Sequence, residues 1–137
     1  MSDKILDRYL TRNTQPESDL QLVSDADGTE DLGAFGWMRG ARDRAVMLEL
    51  RKKNGNILAV GYGWIERIEL DPSEGITLIA GGQRIKIKGR NLNGEVRPQM
   101  RLFQGITRHR VPWLQEADQP GSLQADKTAT VIESLEY

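Results

Sequence analysis

Residues 44–62 read RAVMLELRKKNGNILAVGY, and the fold is decided by how this stretch is understood. Val46, Leu48 and Leu50 alternate with Met47, Glu49 and Arg51, the period-two pattern of a half-buried strand. Asn54-Gly55 supplies a hairpin turn because both residues tolerate positive φ, and Ile57 to Tyr62 is the returning strand. Gly61 and Gly63 loosen its end and invite a bend or bulge.

Further along, the same logic repeats. Trp64 to Leu70 is expected as a third strand, with Trp64, Glu66, Ile68 and Leu70 on one face, although its alternation is imperfect. DPSEG at 71–75 is a turn by composition. Ile76 to Ala80 and Gln83 to Lys88 flank Gly81-Gly82, a second tight hairpin. The pattern changes after Gly89. Met100, Phe103 and Ile106 suit a short helix over 98–108, opened by Pro98 and weakened by Gly105. Arg110 to Leu114 then reads as a last strand, at an edge because of Pro112.

The expected fold class is therefore mainly β, bordering on α+β: a small curved antiparallel meander, or partly closed barrel, of about five strands with one short C-terminal helix. The expected division is a polar acidic arm over 1–32, a β-rich core over 33–116 and a flexible acidic tail over 117–137. Within the arm, Ile5, Leu6, Tyr9 and Leu10 form a narrow helical stripe behind a Ser2 or Asp3 cap, followed by a linker-like stretch. Within the tail, Val131, Ile132, Leu135 and Tyr137 have the character to dock back or to meet a neighbour.

Charge is partitioned along the chain. Residues 1–36 carry 3 basic and 8 acidic side chains (net −5), 37–113 carry 15 and 7 (net +8), and 114–137 carry 1 and 5 (net −4), giving the overall −1. A cationic middle between acidic ends points to an anionic partner for the middle, or to the ends themselves as its partner. The cationic residues cluster in Arg84, Lys86, Lys88 and Arg90, which an extended backbone places on one face while Ile85 and Ile87 turn inward. Lys52 and Lys53 beside the first hairpin, and Arg108 and Arg110 after the helix, are candidates to extend the patch. Such a ladder can follow a phosphate backbone through counterion release, or simply solvate the outer face of an amphipathic strand.

Other chemistries find little support. The chain has no cysteine, so disulfides, thiolate metal sites and thiol nucleophiles are excluded. His109 is its one histidine and lies between arginines, with no serine in a strand-to-helix elbow to form a triad. Glu66, Glu69, Asp71 and Glu74 are better explained by strand and turn than as a hydrolytic carboxylate pair. Asp25, Asp27 and Thr29 open like a cation loop but lack its glycine and closing glutamate. Trp37, Trp64 and Trp113 are expected in the core or at its rim rather than as stacking platforms. We therefore expect a non-catalytic interaction module with no cofactor, metal or small-molecule substrate. Its expected partners are protein or a second copy of itself, with nucleic acid as a further possibility and no membrane contact. A role as a structural or oligomerisation domain is the alternative. The cytoplasm is the expected compartment, since no signal-like or membrane-length apolar run occurs.

One motif carries a resemblance. Ile87-Lys88-Gly89-Arg90-Asn91-Leu92 resembles the second motif of Sm-like RNA-binding proteins, which would imply a five-stranded bent barrel that binds RNA. The likeness covers six residues. Where that family carries Asp and Asn in the loop between its second and third strands, this chain has Tyr62-Gly63-Trp64, so the implied RNA pocket lacks its usual residues.

Overall fold

The computed structural model describes residues 28–118 and 129–137. The expected N-terminal helix and most of the linker lie outside these residues, as does the middle of the expected tail.

The first hairpin is built as its alternation requires. β3 (Met47–Arg51) pairs antiparallel with β4 (Ile57–Gly61), Leu48 facing Val60 and Leu50 facing Leu58. Leu48 and Leu50 are fully buried, whereas Val46 is 79% exposed. This corrects its expected inward position: Val46 precedes the ladder, and its carbonyl accepts the Tyr62 N–H. The turn is also longer than a two-residue one. Gly55 N–H bonds Lys52 O, Lys52 N–H bonds Asn56 O, and Gly55 alone takes positive φ, a type I turn closed by a glycine bulge.

A 3-10 turn at Tyr62–Trp64 carries the chain from β4 into β5 (Ile65–Asp71). Trp64 is thus not a strand residue, and the register shifts between Ile65 and Arg67. That bulge explains the imperfect alternation: Ile65, Ile68 and Leu70 pack inward while Glu66 and Arg67 are both exposed. β6 (Gly75–Ala80) and β7 (Gln83–Arg90) follow as an antiparallel pair, their turn made by Gly81 and Gly82, both at positive φ. Before β6, Asp71 Oδ1 accepts the Ser73 hydroxyl and amide, bonds that hold its carboxyl below the usual carboxylate range.

The expected helix over 98–108 is shorter. β8 (Glu95–Arg97) and β9 (Met100–Arg101) form a small hairpin around Pro98 and Gln99, the latter at φ 66°. Proline here serves a turn instead of a first helical turn, and α1 spans only Leu102–Thr107. Leu102 and Ile106 plug its buried face into the core.

The remaining pairings depart from a meander. β10 (Trp113–Gln115) runs parallel to β3, on the side away from β4, so one sheet has the order β10-β3-β4. Pro112 stands just before it, at the edge as expected. β11 (Val131–Glu136) pairs with β7, giving a second sheet in the order β11-β7-β6-β5. Upstream, β1 (Thr29–Asp31) pairs with β2 (Gly36–Met38). Among the described residues the fold is mainly β with one short helix, and the sheets do not close into a barrel. Strand pairing also reaches into segments expected to be arm and tail. Val131, Ile132 and Leu135 are buried, and this apolar face is what a chain end needs in order to add a strand.

Inner faces of both sheets, α1 and Phe35 enclose one core, with Ile76, Leu78, Ile85, Ile87, Ile106, Leu114 and Ile132 wholly buried. Each such side chain contributes about 1.5–3 kcal/mol relative to exposure. Two polar links brace the core, the first of them between the sheets. Glu116, only 6% exposed, accepts the Lys53 N–H at Oε1 (3.1 Å) and the Leu135 N–H at Oε2 (2.7 Å). Tyr62 donates its hydroxyl to Val111 O at 2.5 Å, and its burial pushes the phenol well above its ordinary value.

The segment that resembles the Sm-like motif has local reasons for its residues. A Cβ on Gly89 would lie 2.0 Å from Val131 O, so β11 can pass only over glycine. Asn91 adopts φ 53° and donates its amide to Ala129 O, while Leu92 is core. These residues serve the β7–β11 junction in an open sheet rather than the closed barrel the resemblance implied.

Candidate anion-binding cleft

The eight cationic residues singled out from the sequence fall into three settings. On β7 the alternation holds: Ile85 and Ile87 are fully buried, Arg84 and Lys88 exposed, and Lys86 half-buried. Carboxylates from neighbouring elements meet this ladder. Lys86 Nζ bonds Glu74 Oε2 at 3.1 Å from the turn before β6, and Lys88 Nζ bonds Glu136 Oε2 at 3.0 Å from β11. The register also brings Glu69 of β5 opposite Thr77, the residue that faces Lys86. Exposed ion pairs such as these add little stability, but they balance the charge of the face. Arg90 is half-buried beside a depression of about 530 Å³ whose rim also carries Asp71.

Lys52 and Lys53 lie at the first hairpin turn. Lys52 Nζ sits 4.3 Å from the centre of the Tyr137 ring, and the Lys53 amide is the one held by Glu116. They belong to the seam between the hairpin and the chain end.

Arg108 and Arg110 have a different setting. α1 ends at Thr107, and His109 takes φ 58°, reversing the chain so that Arg110 returns over Trp37 with its guanidinium carbon 5.6 Å from the ring centre. Arg110 Nη1 donates to Gly40 O (2.5 Å) and Asp43 O (3.1 Å), pinning the 40–43 loop. Pinning that loop brings Arg44 alongside. The result is a cleft of about 360 Å³ lined by Trp37, Ala41, Arg44, Pro98, Gln99, Met100, Arg108 and Arg110.

Three guanidiniums therefore share one concavity, and among the described residues no carboxylate lines it. Among the described residues, none of the three forms an ion pair within 4.0 Å; Arg44 and Arg110 donate to backbone carbonyls instead. Burial and the adjacent Arg44 charge both hold the Arg110 guanidinium below its ordinary value, with Asp43 opposing them. Like charges gathered this way are a cost that an anion would relieve. Arg108 also borders a neighbouring depression of about 500 Å³ with Asn93, Arg101, Phe103, Gln104 and Thr107. Three nearby cations outside the cleft are paired: Arg39 and Arg97 both reach Glu30, and Arg101 reaches Glu95 at 3.9 Å.

The sequence named Arg108 and Arg110 but not Arg44, Trp37 or Met100. Only the two arginines after the helix stood in an obvious charge run. Bringing Arg44 to them takes a contact across nearly seventy residues, made by a guanidinium and a loop carbonyl. No period or local propensity encodes such a contact.

The tryptophans divide. Trp37 is core, and Trp113 is half-buried with Arg51 4.8 Å from its ring centre. Trp64 is 70% exposed, which corrects its expected packing role; it stands beside Gly61, with Met47 also against that glycine. His109 stacks on Tyr62, ring centres 4.4 Å apart. Among the described residues, no cluster of side chains suits a metal ion, and no helix is long and apolar enough to cross a membrane. Asp25 and Asp27 lie outside those residues, while Glu30 is engaged by arginines.

Comparison with known proteins adds no further guide: no family model, no curated protein and no solved structure matches the chain.

Proposed function

We propose that the chain is a non-catalytic interaction module that binds an anionic partner, and that the contact is made by the cleft of Arg44, Arg108 and Arg110 rather than by the β7 ladder. The observation that supports this reading is the convergence of three guanidiniums on one concavity without ion-pair partners among the described residues, beside a ladder whose lysines already have theirs. Guanidinium is a fixed cation with a planar fork of donors. It recognises phosphate and carboxylate oxygens but does not exchange protons near neutral pH, so the cleft is suited to holding an anion rather than transforming it.

The test is a titration of the isotope-labelled full chain with pyrophosphate, or with a short 5′-phosphorylated oligonucleotide, followed by amide shifts at residues 40–44 and 108–110. Joint replacement Arg44→Glu and Arg108→Glu is expected to weaken binding at least about tenfold, because two attractions become repulsions. Joint replacement Lys86→Glu and Lys88→Glu is expected to change it by less than about threefold, since those lysines are already paired. The opposite ranking, or no saturable shift with either probe, would refute the proposal.

A further inference from the structure

Resting on that reading, we infer that the cleft is built for the doubly charged head of a small phosphomonoester bearing an apolar group, and not for a polyanion chain. Three features of the site point to this class of ligand.

The first is charge. Among the described residues, three guanidiniums line the cleft and one carboxylate, Asp43, stands close enough to Arg110 to oppose them, a balance of +2 over these four groups. A phosphomonoester above its second ionisation, near pH 6, carries about −2 and presents three oxygens. A phosphodiester or sulfate ester carries only −1.

The second is extent. A polymer is held by a continuous track of cations that releases counterions along its length. Here three of the surrounding arginines, Arg39, Arg97 and Arg101, are each engaged by Glu30 or Glu95, which interrupts such a track. A volume of about 360 Å³ falls at the small end of ligand pockets, which span about 300–1,000 Å³.

The third is the wall. Ala41, Pro98 and Met100 add an apolar share to the lining of the cleft. The β8–β9 turn delivers Pro98 and Met100 there, with Gln99 in a left-handed conformation between them. An apolar ester group seated on this wall leaves its phosphate directed at the guanidiniums.

Phenyl phosphate and phenyl sulfate separate these features, being alike in shape but different in charge. With the full chain at low ionic strength and pH 8, phenyl phosphate is expected to bind about tenfold more tightly than phenyl sulfate, the added charge acting at short range in a partly desolvated site. At pH 5, where the phosphate is mostly a monoanion, the two should converge. Inorganic phosphate should bind more weakly than phenyl phosphate and leave the Met100 methyl resonance unmoved. Arg108→Gln should cost phenyl phosphate at least about threefold more than phenyl sulfate. Arg110 is unsuitable for this purpose because it also holds the 40–43 loop. Equal binding of phosphate and sulfate esters at pH 8 would overturn the ligand class while leaving anion binding intact. So would an oligonucleotide that shifts the cleft resonances when phenyl phosphate does not. If neither ester, nor pyrophosphate, nor the oligonucleotide shifts them, the ligand class and the anion-binding reading fall together.

Discussion

Glu116→Ala is expected to lower unfolding stability by about 3 kcal/mol, read as a fall in the denaturant midpoint. Its carboxylate is buried and its two oxygens accept amides from different sheets, Lys53 beside β3 and Leu135 within β11. Bonds to an ionised acceptor contribute about 1.5–3 kcal/mol each, and removing the acceptor strands the buried Leu135 N–H while leaving the part-buried Lys53 N–H to water. Glutamine keeps one carbonyl but turns an amide donor toward the second N–H, so Glu116→Gln should lose roughly half as much. Hydrogen exchange adds a local reading: the Lys53 and Leu135 amides should lose protection first. An unchanged midpoint for the alanine variant would mean that the link contributes nothing.

Gly89→Ala is expected to cost a similar amount, about 3 kcal/mol, through steric conflict. The added methyl would stand 2.0 Å from Val131 O and 3.0 Å from Ile132 Cα, atoms of a backbone that cannot rotate aside as a side chain can. Relief requires the first residues of β11 to move off β7, which uncovers Ile132. Gly82→Ala is the informative contrast. Nothing lies within 4 Å of its Cβ position, and its φ of 81° imposes only the backbone penalty of about 1–2 kcal/mol. If the two substitutions cost the same, crowding at Gly89 is not the cause.

These substitutions bear on how much of the fold the residues reveal by themselves. Elements defined by their own neighbours were legible: the alternation around Leu48 and Leu50, the Gly81-Gly82 turn and the inward isoleucines of β7 each depend on a few consecutive residues. The bulge at Glu66 showed only as faulty alternation, because a register shift is defined by the partner strand. Pro98 misled for a related reason, as proline fits a first helical turn and a β-turn equally well, and the choice was made by the pairing of β8 with β9. The parallel seat of β10 and the docking of β11 left no local trace beyond apolar residues in a polar stretch. The candidate cleft stands at this harder end. Its charges were visible singly, but their meeting depends on a left-handed His109 and on a loop pinned by Arg110.

The placing of β10 and β11 has a kinetic consequence. Both hairpins close over short loops, yet each leaves an apolar face uncovered until a distant strand arrives, as the Lys53–Glu116 bond, spanning 63 positions, illustrates. The search for those late partners, rather than turn formation, sets the rate, which puts the chain among slow folders, in the millisecond-to-second range expected of β proteins with non-local pairing. Stopped-flow refolding followed by fluorescence in a Trp37→Phe, Trp64→Phe background isolates Trp113 and so reports β10, and microsecond recovery of its signal would contradict this order of events.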